Sequence, residues 1–276
     1  QLPPLAQDGL AYILILTFGV LHGANDITLI GAVELRKRPL AIIHLKYIAA
    51  VLGISLIFLI SKTIPLLAFV LISGYHFGEQ HFGSNCTTKT IWRRPFFFSY
   101  GLTILFMIFA IKVKAVVPVI QEIIQLQLPE AFFFWGLGIV ASIFMVLLVY
   151  LSWTKVIQVN LIKELFFLVV LGVVFHQASL AWGFGIYFVI WHSFPSLHDQ
   201  LQFLYGKVSA TTFARYLRSS WIYWGISIAG LAFLYFLLKD KTDYFITMVL
   251  YVLAAITFPH VMVMSQIEGL KNESGS

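Results

Sequence analysis

Eight histidines occur in this chain of 276 residues, and most of them lie inside long apolar stretches. Ionisable side chains are costly inside a membrane, so their presence there indicates function. His22, His76 and His192 each lie about 12 residues from the predicted outer end of their stretch, a helical depth of about 18 Å. Neutral imidazole is a common metal ligand. Matching depth therefore predicts a shared metal site, with hydrogen bonding between helices as the alternative.

Two carboxylates accompany these histidines at helical spacing. Asp26 follows His22 by four residues, and Glu79 follows His76 by three, so each pair shares a helix face. Metal-bound histidines usually donate their second ring nitrogen to a carboxylate, carbonyl or water. Asp26 and Glu79 are predicted in that supporting role. Direct ligation in a site of two histidines and one carboxylate, typical of iron, is an alternative, as is a plain interhelical hydrogen bond for Asp26.

The later histidines are irregularly spaced. His198 follows His192 by six residues, which leaves the two on nearly opposite faces of an uninterrupted helix. Pro195 lies between them and removes a backbone hydrogen bond, so it predicts a kink that would let both face one metal. Pro259 directly precedes His260 and has the same potential in the last apolar stretch.

The elements that carry these residues are predicted to be membrane-spanning helices. Hydrophobic residues make up 60% of the chain and charged residues 11%, against about 25% in soluble domains. Because a span needs about 20 apolar residues, the sequence predicts an all-α, polytopic transmembrane helical bundle with about nine spans, forming one integral membrane domain over residues 1–276. The predicted spans are about 10–33, 40–60, 64–83, 96–112, 131–152, 161–178, 180–205, 219–238 and 244–266. Residues 115–128, which contain Pro118, are predicted to form an amphipathic helix at the membrane surface.

Loop charges predict the orientation of the chain. The loops that share a side with the C-terminus are richer in basic residues than the opposite loops. They hold Arg36, Lys37, Arg38, Lys89, Arg93, Arg94, Lys155, Lys163, Lys207, Arg215 and Arg218, against Lys62, Lys112, Lys114, Lys239 and Lys241. By the positive-inside rule the N-terminus is outside and the C-terminus cytoplasmic. The net charge of +6 then reflects loop charge, and no nucleic-acid partner is expected. A single cysteine, Cys86, excludes an internal disulfide framework.

At these residues the sequence resembles the Brp/Blh family of membrane β-carotene dioxygenases from microbes that use rhodopsins. Four motifs carry the resemblance, in the family's order and over essentially the whole chain. They are His22-Gly23-Ala24-Asn25-Asp26, His76-Phe77-Gly78, the segment from His192-Ser193 to His198, and Pro259-His260.

The resemblance implies cleavage of the central double bond of β-carotene by O₂ and non-haem Fe²⁺, giving two retinal molecules, in the cell's cytoplasmic membrane. It implies His22, His76, His192 and His198 as the essential, metal-binding histidines, and a rhodopsin as the recipient of retinal. Two departures from the family pattern leave the fourth ligand open. The pair His192 and His198 is spaced two residues wider, and His81 stands where the family often has Asp, so His260 and His81 are possible substitutes.

Two other classes of protein compete with this interpretation. Membrane di-iron desaturases and hydroxylases need about eight histidines in cytoplasmic boxes that include His-x-x-His-His, which is absent here. A histidine-based membrane protein that binds haem or a metal is the other alternative. A haem protein would show histidine pairs two or more turns apart on one helix, and no predicted span has them.

Overall fold

Helices account for nearly all of the computed structural model, which describes residues 2–34, 39–86, 88, 90–238 and 245–274. The helices are α1 (Pro4–Leu14), α2 (Val20–Gly23), α3 (Asp26–Glu34), α4 (Leu40–Ile60), α5 (Thr63–Phe82), α6 (Arg93–Ile111), α7 (Val113–Ile124), α8 (Glu130–Trp153), α9 (Leu161–Gln177), α10 (Leu180–Ile186), α11 (Phe194–Tyr205), α12 (Ala210–Leu238) and α13 (Phe245–Ser274). Two π-helical segments, Ile15–Gly19 and Tyr187–Ser193, join α1 to α2 and α10 to α11. Within these ranges β-structure is limited to one antiparallel bridge between Cys86 and Ile157. The predicted all-α class is confirmed.

Each of the nine predicted spans coincides with a helical stretch. Among the described residues, six helical stretches are long and apolar enough to cross a membrane. Those six are Pro4–Val33, Ala41–Phe58, Arg93–Ile111, Glu130–Trp153, Ala210–Leu237 and Thr247–Gly269. The other three stretches differ in composition, length or continuity. The helix α5 carries the polar motif around His76, α9 has only 17 residues, and α10 and α11 are separated by a π-helical segment. The count of nine and the orientation of the termini stay predictions.

Exposed apolar side chains on α4 support a membrane environment. Ile48, Leu52 and Leu56 are 50%, 57% and 58% exposed, although α4 is among the most apolar helices of the chain. Water would make such a surface costly, whereas lipid chains solvate it.

The basic loop residues used for the orientation are described only in part. Arg36, Lys37, Arg38, Lys89, Lys239 and Lys241 lie outside the described residues.

The chain divides into two compact units, each made of two chain segments. The first unit comprises Gln1–Tyr12 and Val70–Phe188, and the second comprises Ile13–Phe69 and Val189–Ser276. The predicted single integral membrane domain is not tested by this division and stays a prediction.

In the first unit, α5 and α6 approach each other backbone to backbone. A Cβ atom built on Gly101 would lie 1.8 Å from the carbonyl oxygen of Gly74, so position 101 has no room for a side chain. Such close approach through small residues is typical of membrane helices. Next to it, the buried rings of Phe82, Phe96 and Phe144 pack together, with Phe96 and Phe144 stacked at 5.6 Å.

The helix α7 lies in the same unit and matches the predicted amphipathic segment. Val113, Val116, Val119 and Ile123 are buried, a spacing of three to four residues that gives the helix one buried face. Pro118 is accommodated inside it. The amphipathic helix is confirmed, and its location at the membrane surface stays a prediction.

In the second unit, α13 packs on α3 and α4. Leu29 contacts a buried cluster formed by Val263, Met264 and Ile267 of α13.

The helix α12 begins at Ala210, nine residues before the predicted start of its span, because Ser209 caps it by accepting a hydrogen bond from the Thr212 backbone N–H. Arg215 and Arg218 consequently lie in the first turns of a helix rather than in a loop.

Candidate metal centre

Three buried histidines converge in the second unit. His22 of α2, His192 of the second π-helical segment and His260 of α13 are 3%, 2% and 3% exposed. Their ligand nitrogens all lie within 4.8 Å of one another. The His22 ring meets the His192 ring at a centroid distance of 5.0 Å and the His260 ring at 4.8 Å, edge to face in both cases. We call these three residues the histidine cluster.

The geometry of the histidine cluster fits a metal ion. Nitrogens that each lie about 2.1 Å from one ion are separated by about 3–4 Å, so the observed spacing needs only small side-chain movements. Imidazole nitrogen suits iron, zinc, copper and nickel alike. The donor set therefore fits a first-row transition metal.

Asp26 supports the cluster by holding His260. Its Oδ1 lies 2.8 Å from Nδ1 of His260, and its Oδ2 accepts a hydrogen bond from the Tyr47 hydroxyl at 2.8 Å. Asp26 is almost completely buried. When a histidine donates one ring nitrogen to a carboxylate, its tautomer and ring orientation are fixed and its other nitrogen is directed to a metal. The contact with Asp26 thus engages Nδ1 of His260, as expected for a histidine that would bind a metal through its other ring nitrogen.

The partner of Asp26 differs from the one that spacing predicted. A regular helix would place Asp26 beside His22, its neighbour four residues earlier. The helix is interrupted at Ala24 and Asn25 instead, and α3 starts at Asp26. Because of this interruption, Asp26 turns its carboxylate to His260, which is 234 residues away in sequence.

Both π-helical segments adjoin the cluster. Ile15–Gly19 ends three residues before His22, and Tyr187–Ser193 contains His192 itself. Short π-helical turns are frequent at functional sites, because the wider turn shifts the side chains that follow. The kink predicted at Pro195 is replaced by this π-helical turn just before it. Pro195 lies in the first turn of α11, directly after the π-helical turn.

The structure does not bring His198 to the histidine cluster. Its side chain is 64% exposed, and Nδ1 lies 3.7 Å from Asp199 Oδ1. The π-helical turn ends at Ser193 and regular α-helix starts at Phe194. The turn therefore does not bring His198 to the helix face that carries His192. His260, one of the two substitutes predicted from the sequence, lies in the cluster instead.

The remaining predicted site residues belong to the first unit. His76 is buried in α5, and Glu79 accepts a hydrogen bond from the Tyr75 hydroxyl at 2.9 Å. Nε2 of His81, the other substitute, lies 2.8 Å from Glu164 Oε2, and its ring stacks on Tyr100. His81 therefore has a carboxylate partner of its own. The ligand role of His76 and the supporting role of Glu79 stay predictions.

Comparison with known proteins identifies one family. A family model described as beta-carotene 15,15'-dioxygenase matches residues 13–268. The match includes the three histidines of the cluster together with Asp26 and Tyr47. No curated protein and no solved structure gives a significant match to the chain.

Proposed function

Because the chain belongs to the beta-carotene 15,15'-dioxygenase family, we propose that it cleaves the central double bond of β-carotene with O₂ and releases two retinal molecules. We further propose Fe²⁺ as its metal, held by His22, His192 and His260. The observation that carries the proposal is the convergence of three buried histidines within 4.8 Å, inside the matched region. His198 is replaced by His260 in this ligand set, and His76 is proposed as a further ligand on the resemblance alone.

The chemistry of the donor set favours an oxygenase. Three neutral imidazoles bring no negative charge to a ferrous ion and leave coordination positions open. Bound iron would supply the redox-active centre that lets ground-state O₂ react with an alkene. The protein's own contribution is to hold its ligands rigidly, through Asp26 on His260, and to keep bulk water away from a site whose histidines are all buried.

The proposed reaction balances without an additional reductant. Both bonds of the central carbon–carbon double bond break, and each carbon receives one oxygen atom as an aldehyde. One β-carotene and one O₂ therefore give two retinal molecules. Since the substrate is symmetric, a single product arises only when the central bond is held at the metal.

A location in the membrane suits this substrate. β-Carotene is an apolar polyene that dissolves in the bilayer, so it can reach a buried site laterally from lipid. The apolar helices are those of a multi-pass membrane protein. We propose the cytoplasmic membrane of the cell as its location and a rhodopsin as the recipient of the retinal.

Aerobic incubation of the purified ferrous protein with β-carotene in detergent tests this proposal. Chromatography should show retinal as the only aldehyde. His260→Ala should abolish its formation. His44→Ala is the matched control, because it removes a histidine of the same unit whose ring nitrogen lies 2.7 Å from the Tyr223 hydroxyl. Longer apocarotenals would correct the cleavage position and keep the chemistry. Absence of any aldehyde from iron-loaded protein would refute the enzyme function.

A further inference from the structure

A buried hydrogen-bond network holds the backbone beside the histidine cluster. Nε2 of Gln200 in α11 lies 2.9 Å from the carbonyl oxygen of His22 and 3.1 Å from Oγ of Ser196. The hydroxyl of Tyr216 in α12 lies 2.7 Å from Oε1 of Gln200 and 3.1 Å from the same His22 carbonyl. Gln200, Ser196 and Tyr216 are all completely buried.

Counting hydrogens assigns the direction of each bond. A tyrosine hydroxyl has one hydrogen and a glutamine amide has two. The shortest contact of Tyr216 is to Oε1 of Gln200, so its hydrogen goes there. The two amide hydrogens of Gln200 then reach the His22 carbonyl and Ser196. With this assignment the amide of Gln200 uses both its donors and its acceptor, and Tyr216 fixes which way the amide faces.

The position of this network coincides with the helix interruption. The last carbonyls of a helical segment lack partners within the helix. His22 lies in the last turn of α2, one residue before Gly23 ends it, and Gln200 supplies a donor to its carbonyl. In addition, Oγ of Ser219 in α12 lies 3.0 Å from Oδ1 of Asn25, a residue of the interruption itself. Side chains of α11 and α12 thereby hold both ends of the interruption.

We propose that Gln200, oriented by Tyr216, is a positioning residue of the metal centre. It acts through the backbone of His22. Gln200 stabilises the break in the helix at Ala24 and Asn25. It thereby sets the orientation of the His22 imidazole in the histidine cluster, and it allows Asp26 to face His260 rather than His22. The inference rests on the proposed metal centre, and it assigns to α11 a role that does not involve ligation by His198.

Binding of Co²⁺ tests the proposal, because the visible bands of Co²⁺ report the arrangement of its ligands. The full-length protein is titrated with Co²⁺ alone, in wild-type form and as Gln200→Met, an apolar variant of similar volume. Tyr216→Phe removes only the hydroxyl that orients the amide. Tyr223→Phe is the matched control. It also removes a hydroxyl from α12, but that hydroxyl lies 2.7 Å from Nε2 of His44.

Gln200→Met should lower Co²⁺ affinity about 10–100-fold, the usual effect of residues that orient ligands. Its bands at saturating Co²⁺ should be shifted from those of the wild type. Tyr216→Phe should change both in the same direction, and Tyr223→Phe should leave both unchanged. A residue that merely stabilised the fold would leave the saturated bands unchanged, so band position separates the two roles.

Wild-type bands in saturated Gln200→Met would overturn the inference alone. Wild-type protein that binds no Co²⁺ would overturn the metal centre, and with it this inference. If Tyr223→Phe changed the Co²⁺ affinity and the bands as much as Tyr216→Phe, the inference would also be overturned. Loss of any hydroxyl from α12 would then produce the effect. If Gln200→Met fails to fold, Tyr216→Phe decides by the same comparison of bands.

Discussion

Asp26→Asn probes how the protein supports its proposed metal ligands. The substitution keeps the shape of the side chain and removes its charge. In the structure the two carboxylate oxygens serve different partners, His260 at one oxygen and Tyr47 at the other, both at 2.8 Å. An amide can keep its oxygen towards His260 and turn its NH₂ towards the Tyr47 oxygen, which can accept. Both hydrogen bonds can therefore survive as neutral ones.

The expected loss follows from what the amide cannot replace. A hydrogen bond to a charged group contributes about 1.5–3 kcal/mol, and a neutral one about 1 kcal/mol. Exchanging one kind for the other at His260 thus weakens the support by about 0.5–2 kcal/mol, and each 1.4 kcal/mol is about tenfold. We expect iron affinity to fall about 2–30-fold, a range that overlaps the lower part of the 10–100-fold usual for partners of metal-bound histidines. Iron should still bind when it is supplied in excess.

Competition with a chromophoric chelator measures this affinity, and retinal formation at saturating iron measures the activity. Asp199→Asn is the control, because it makes the same exchange beside His198, which lies at the surface. The control should bind iron as the wild type does. Unchanged affinity in Asp26→Asn would refute the supporting role. Complete loss of iron at any concentration would show that Asp26 is itself a ligand.

Three further predictions concern the ligands, the metal and the topology. His260→Ala and His76→Ala should each lose most of the iron found by elemental analysis, whereas His198→Ala should keep it; full iron in His76→Ala would exclude that residue as a ligand. Free Fe²⁺ at about 100 times its dissociation constant should stabilise the fold by about 2.7 kcal/mol, so a chelator should lower the melting temperature by about 5–10 °C. An unchanged melting temperature would contradict a metal that binds only the folded protein. Cysteines introduced at Lys155 and Lys112 should be labelled from opposite sides of the membrane, and labelling from one side would refute the nine-span topology.

Hydropathy was enough to predict the helices. A membrane span needs a long apolar stretch, and this chain has few long apolar stretches that are not helices. The matching depth predicted for His22 and His192 also singled out two residues that the structure places in one cluster. Both inferences depend only on position along a helix axis, which sequence distance measures directly. Asp26 was singled out for the same reason, by its distance from His22.

Direction around the helix axis was not predictable. The spacing of His192 and His198 was interpreted with a kink at Pro195, but a π-helical turn lies before that proline and regular helix follows it. Likewise, because the helix is interrupted after Gly23, Asp26 faces His260 rather than His22. The backbone beside the interruption contacts residues distant in sequence, such as Gln200, whose Nε2 lies 2.9 Å from the His22 carbonyl oxygen. No local pattern near His22 predicts that contact.

X-ray absorption at the iron K-edge of the ferrous wild-type protein tests the central claim, that a histidine cluster holds the catalytic iron. The ligand set predicts nitrogen atoms at about 2.1 Å and the outer-shell scattering of at least three imidazole rings. His260→Ala, reconstituted with excess iron, should show one imidazole fewer. Sulfur ligands, a haem spectrum, or identical imidazole scattering in wild type and His260→Ala would contradict the assignment of His22, His192 and His260 as the ligands.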